Sequence, residues 1–176
     1  IVFTVKYQCY VMATSGLLNA RVQHMTAGDF GTCCVHFGDC ENAIIEAIAD
    51  ADQVVGCVAW LRSKGILQAL KRKPCNIAIT GDTKLPAYKH LKPFLSEFKT
   101  AIRVVGLSRG RFRSLMHNKF IVGLKHGIPA FVVTGSYNYT EHKHLENVVR
   151  INDPKCATAF YHEALAVLHI GRAVKK

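Results

Sequence analysis

Short apolar runs, set off by polar and glycine-bearing turns, alternate along this chain between helical and extended spacing. Asp39 can cap a helix whose Ile44, Ile45 and Ile48 fall on one stripe, and the apolar run from Val54 to Leu61 then reads as a buried strand. Ile66, Leu67 and Leu70 predict a short second helix, followed by a strand from Cys75 to Thr80 that stops at the turn Gly81-Asp82. A helical stretch carries Leu91, Phe94, Leu95 and Phe98, with Pro93 in its first turn or kinking it. Ile102 to Val105 is a strand. The next strand takes in His117, Lys119 and Val122, turns through Gly123 and the polar residues around Lys125, His126 and Gly127, and returns as Ala130 to Val133. Val148 to Ile151 adds another strand, and Asp153-Pro154 opens a final helix with Phe160, Ala164, Leu165 and Leu168 inward. This order predicts an α/β fold in which a mixed β-sheet is flanked by helices on both faces. Residues 1–31 read as an N-terminal strand or hairpin extension.

With 176 residues, 49% of them hydrophobic, the chain can bury a substantial core, and no Ser/Gly/Pro-rich linker divides it, so one domain spanning 1–176 is expected. Its apolar runs are too short to cross a bilayer, and its first residues lack the basic and apolar regions of a secretory signal. Ile1 in place of Met leaves open a processed, trimmed or excised chain. Seven cysteines, Cys9, Cys33, Cys34, Cys40, Cys57, Cys75 and Cys156, include no C-x-x-C pair, and several lie in strand-like runs where a thiol behaves as a small hydrophobe. They read as reduced thiols of an intracellular, cytoplasmic protein without stable membrane insertion. Cys33, Cys34, His36 and Cys40 could be imagined as a zinc cluster, but structural zinc ligands usually come in pairs separated by short turns, whereas Cys34 and His36 fit one face of a strand. No metal and no cofactor are expected.

Charge narrows the choice of partner. Twenty-three Lys and Arg against 12 Asp and Glu give a formal net charge of +11, and such a surplus concentrates polyanions at the surface. Nucleic acid is the expected partner. Arg103, Arg109, Arg111 and Arg113 crowd the segment that runs into His117, where Arg109, Arg111 and Arg113 would meet flanking phosphates. Lys71, Arg72 and Lys73 read as a solvated helix end, and Arg172, Lys175 and Lys176 as a tail.

The chemistry concentrates between Met116 and Asn147. Strand alternation puts His117 and Lys119 on one face, and the returning strand delivers Gly135, Ser136 and Asn138 beside them. An ammonium, a hydroxyl, an amide and an imidazole able to attack phosphorus or move a proton together make a phosphate site. Ser136 and Asn138 are also ordinary turn formers. His126, His142 and His144 read as loop histidines, while Tyr137 and Tyr139 could stack on a base or pack in the strand-to-loop corner.

In order and spacing, His117-x-Lys119, Gly135-Ser136-x-Asn138 and Glu146-Asn147 resemble the HKD signature of the phospholipase D superfamily, in its single-motif, endonuclease-like form. The family places an aspartate five residues after the lysine, and this chain has Leu124 there. The resemblance implies a phospholipase D-like fold and a metal-independent phosphodiesterase, first of all a nuclease, in which His117 attacks phosphorus and water resolves the phosphohistidine. It implies that Lys119 neutralises non-bridging oxygens, that Ser136 and Asn138 bind phosphate, and that Glu146 accepts a hydrogen bond from a catalytic histidine. One motif supplies one imidazole, so the resemblance also implies a homodimer with two copies of His117 about one phosphate. A phospholipid substrate, or a catalytically inactive nucleic-acid-binding module suggested by Leu124, are the alternatives.

Overall fold

Neighbouring residues of one strand go to opposite layers. In β3 (Gln53–Val58), Val54 and Val58 join one buried cluster, while Val55 and Cys57 join another on the other side of the sheet. The computed structural model describes residues 27–29, 32–80, 102–105, 108–109, 112–113, 116–141 and 146–173. Over the first face lie α1 (Cys40–Asp50), through Ile44, Ala47 and Ile48, and α2 (Lys64–Lys71), through Ile66, Leu67 and Leu70. Over the second lies α3 (Pro154–Ile170), through Ala157, Ala164 and Leu168. A fully buried Leu or Ile of these stripes contributes about 1.5–3 kcal/mol by leaving water.

The sheet is mixed, as expected. Besides β3 it contains β1 (Ala27–Asp29), β2 (Cys33–Phe37), β4 (Cys75–Thr80), β5 (Ile102–Val105), β8 (Lys119–Lys125), β9 (Ile128–Gly135), β10 (Asn147–Ile151) and β11 (Arg172–Ala173). Their order is β1-β2-β10-β9-β8-β3-β4-β5-β11, with β3, β4 and β5 parallel and the other pairings antiparallel. A separate two-stranded ribbon joins β6 (Ser108–Arg109) to β7 (Phe112–Arg113). Between β8 and β9, His126 and Gly127 turn with φ of 54° and 79°, the paired positive angles of a tight hairpin whose twist matches its strands.

Four expectations need correction. The buried strand ends at Val58, although Ala59 and Leu61 stay buried, because past Ala59, whose amide still reaches the Asn118 carbonyl at 2.8 Å, the chain turns and the Arg62 and Ser63 amides donate to the Tyr139 carbonyl. The run signalled burial, and a strand accounts for only part of it. Leu165 is 42% exposed: Ala157, Ala164 and Leu168 form a stripe too narrow to include it. Asp39 takes the N-cap position of α1, but its side chain bonds no backbone amide of the helix and instead accepts from the Asn42 side chain at 3.0 Å, whereas Ser63 caps α2 through Ile66 and Asp153 caps α3 through Cys156. His117 lies two residues ahead of β8 and not within it. The turn at Gly81-Asp82, the helix around Leu91 to Phe98 and most of 1–31 fall outside the described residues.

Candidate functional site

Strand register gathers the chemistry at one rim of the sheet. Lys119 opens β8 opposite Val58, the last residue of β3, while Gly135 closes β9 opposite Val148 and Asn147 opens β10 opposite Phe37. Gly135 permits this closeness, since a Cβ there would collide with the Asn147 carbonyl. Ser136 is thereby brought against β10, where its hydroxyl accepts from the Asn147 amide at 3.1 Å.

Within this rim His117 and Lys119 meet directly. The Lys119 ammonium donates toward His117, 3.0 Å from Nδ1 and 3.4 Å from Nε2, and lies 3.0 Å from the His117 carbonyl oxygen. His117 is exposed and Lys119 half-buried. Burial lowers the Lys119 pKa from the usual lysine value, and the Glu146 carboxylate opposes that shift. Among the described residues, no ion pair joins Lys119 to a carboxylate, and no hydrogen bond joins Glu146 to the His117 ring.

The peptide carrying the pair is held at each carbonyl. The Thr80 hydroxyl donates to Met116, the Lys119 ammonium to His117, the Ala59 amide to Asn118, and the Thr134 hydroxyl to Lys119 at 3.3 Å. Trp60 completes the wall. Its ring meets that of His117 edge to face, with centroids 4.9 Å apart and planes at 82°, and Lys119 Nζ sits 5.7 Å from its centroid. The sequence reading missed Trp60, Thr80 and Thr134; the available signal was the chain's one tryptophan directly after a buried apolar run.

The other expected residues divide. Ser136 is exposed at the rim and Asn138 half-buried, and among the described residues the Asn138 amide oxygen lacks a hydrogen-bond partner, as do Arg62 Nε and the Tyr139 hydroxyl. Tyr137 and Tyr139 are packed in the corner, 6% and 1% exposed, which removes them from base stacking; burial raises both phenol pKa values. Leu124 is 2% exposed within the α3-side core, opposite Gln53 at the far end of β8. Arg109 and Arg113 belong to the β6–β7 ribbon, and Arg111, His142 and His144 fall outside the described residues. Cys34 and His36 lie in β2 as expected, and among the described residues no group of three His, Cys, Asp or Glu side chains is placed to hold a metal. Among the same residues no helix is long and apolar enough to cross a membrane.

No family model matches the chain, and no curated protein sequence does. Solved structures do. The phospholipase D family member Nuc from Salmonella typhimurium superposes with a TM-score of 0.69 at 21% identity, covering 82% of this chain and 98% of its own. The fold is phospholipase D-like. NucT from Helicobacter pylori gives the same TM-score at 14% identity, covering 81% of this chain and 98% of its own. TrmBL2, an archaeal chromatin protein described as showing a novel mode of DNA binding, reaches 0.54 at 15% identity over 81% of this chain and 54% of its own. At such identities these structures share an architecture with the chain, and no more than that follows from them.

Proposed function

We propose that this protein is a metal-independent phosphodiesterase that cleaves nucleic acid in a homodimeric site. The observation that carries the reading is the His117–Lys119 contact, an exposed imidazole beside an ammonium with which no carboxylate forms an ion pair among the described residues. A phosphodiester placed there is held by Lys119, with Ser136 and Asn138 as further contacts. A His117 nitrogen forms a bond to phosphorus, the bond to the leaving oxygen breaks, and that oxygen takes a proton from the second copy of His117. Water then attacks phosphorus, passes its proton to that second imidazole, and releases the first. Lysine cations do the charge work that divalent ions do elsewhere. The formal charge of +11 and the Arg109–Arg113 ribbon favour a polynucleotide over a phospholipid. Leu124 supports activity more than its absence: five residues from Lys119 along a strand is roughly 17 Å, so the altered position lies in the core and off the rim.

Incubating the protein with labelled DNA, RNA and phospholipid in excess EDTA tests this. Nucleic acid should be cut, and His117→Ala should lower kcat on the order of 10³-fold while far-UV circular dichroism is unchanged. Replacing Arg109, Arg111 and Arg113 should flatten the salt dependence of binding, because fewer counterions are released. Excess His117→Ala chains should suppress wild-type activity once subunits exchange. Activity that needs magnesium, hydrolysis of lipid alone, or full activity from a verified monomer would each overturn the corresponding part.

A further inference from the structure

We infer that Trp60 is the positioning residue of the rim, fixing the imidazole of His117 and the ammonium of Lys119 in their reactive relation; this rests on the proposed phosphodiesterase reading. His117 is exposed, and an exposed side chain ordinarily exchanges among staggered rotamers. The edge-to-face contact with Trp60, at 4.9 Å and 82°, selects one orientation, because ring quadrupoles favour that arrangement. The same indole lies 5.7 Å from Lys119 Nζ, within the range where an aromatic face attracts a cation. One ring therefore touches both partners.

Trp60 can do this only if its own backbone is fixed, and it is tied on both sides. Before it, the Ala59 amide donates to the Asn118 carbonyl at 2.8 Å, between His117 and Lys119, and the Ala59 carbonyl accepts from the Thr80 amide at 3.3 Å. After it, Leu61 is 1% exposed, and the Arg62 and Ser63 amides both donate to the Tyr139 carbonyl, at 2.7 and 2.9 Å. The indole thus stands on a bridge between the H-x-K peptide and the loop that follows Gly135-Ser136. Its place is set relative to both halves of the phosphate site. Simple filling of an apolar corner would require contact with neither His117 nor Lys119.

Trp60→Leu and Trp60→Phe test the assignment. Trp60→Leu should lower kcat about 10- to 100-fold with KM within about threefold, since misplacement of reacting groups costs rate more than affinity, and Trp60→Phe should restore most of the loss. Unchanged kcat in Trp60→Leu, or a change confined to KM, would overturn it, the latter making the indole a substrate contact. A second readout needs neither activity nor a variant: in the wild-type protein, nuclear Overhauser contacts should connect the indole protons to the His117 ring protons. Their absence would overturn the proposal even if Trp60→Leu fails to fold. If those contacts are present but no phosphodiester is cut, the catalytic reading fails and the arrangement of the three side chains stands.

Discussion

The two rims of the central sheet treat charge in opposite ways. At the rim away from His117, Asp50 accepts from Lys125 at 2.8 Å and pairs with Arg150, whose Nε donates to Asn152 at 2.8 Å and whose guanidinium lies 3.9 Å from the centre of the Phe131 ring. Lys73 donates to the Ala49 and Ala51 carbonyls at the end of α1, where helix carbonyls lack internal partners, and Asp52 accepts from the His126 amide. Hydrogen bonds from Lys125 and then Arg150 hold the Asp50 carboxyl below its usual range. At the other rim, the Lys119 ammonium bonds an imidazole and a carbonyl and pairs with no carboxylate among the described residues, and its pKa falls because burial disfavours the charge more than the Glu146 carboxylate favours it. Charges that answer one another serve the fold. A cation without an ion-pair partner among the described residues is available to an anionic ligand, at some expense of stability.

The sharpest way to break this contrast is Lys119→Met. If the cation serves a ligand, the substitution should cut kcat/KM on the order of 10³-fold, while the melting temperature stays level or rises because a desolvated charge has been removed. A marked fall in melting temperature would make Lys119 structural. Next in size is Leu124→Asp, which places the carboxylate of the resembled motif in a core position. It should destabilise by about 3 kcal/mol or more, since the buried residues clustered with Leu124 are apolar, and a denaturant titration would measure it. Stability close to wild type would mean that the far end of β8 can accept the charge.

A pH series sharpens the comparison further. Because the folded pKa of Lys119 lies below the ordinary 10.5, the ammonium should be lost, and nucleic-acid binding should weaken, at a lower pH than for a free lysine. Lys119→Arg, charged throughout, should lack that alkaline limb. Affinity of the wild type that holds level up to 10.5 would contradict the shift. The smallest effect belongs to the opposite rim, where Asp50→Asn should cost about 1 kcal/mol or less, discounted for the exposure of its partners, and leave kcat unchanged. Asp50 is depressed on folding, so its contribution is full above the unfolded carboxylate pKa and fades as pH falls through the folded one. Chemical unfolding at neutral and acid pH should show the wild type and Asp50→Asn converging in acid.

Much of this was legible in the sequence because local periodicity and global packing agree. Cys75 to Thr80 and the two arms around His126-Gly127 are apolar runs bounded by turn residues, and each became a strand, while the run from Val54 to Leu61 did so only as far as Val58. His117 and Lys119 were legible because two positions on one strand direction need only local geometry to meet. Trp60 was not, since it reaches His117 through the pairing of β3 with β8, a contact across 57 residues that no local pattern encodes. Leu165 misled for a related reason: hydrophobicity states that a residue can be buried, and only the neighbouring layer decides whether it is.

Of the four consecutive carbonyls of Met116 to Lys119, three are engaged from other strands or their ends, by Thr80, Ala59 and Thr134, and that of His117 by the Lys119 ammonium two residues on. Three of those donors stand at the end of a sheet strand or just beyond it, so this peptide cannot swing free while the strands remain zipped. Its timescale of motion is consequently the slow one of cooperative strand opening, not the nanosecond one of surface loops. On the proposed phosphodiesterase reading, a substrate arriving at this rim meets groups whose alignment was completed when the chain folded, and the entropy of aligning them is no longer part of the barrier to be crossed on each turnover.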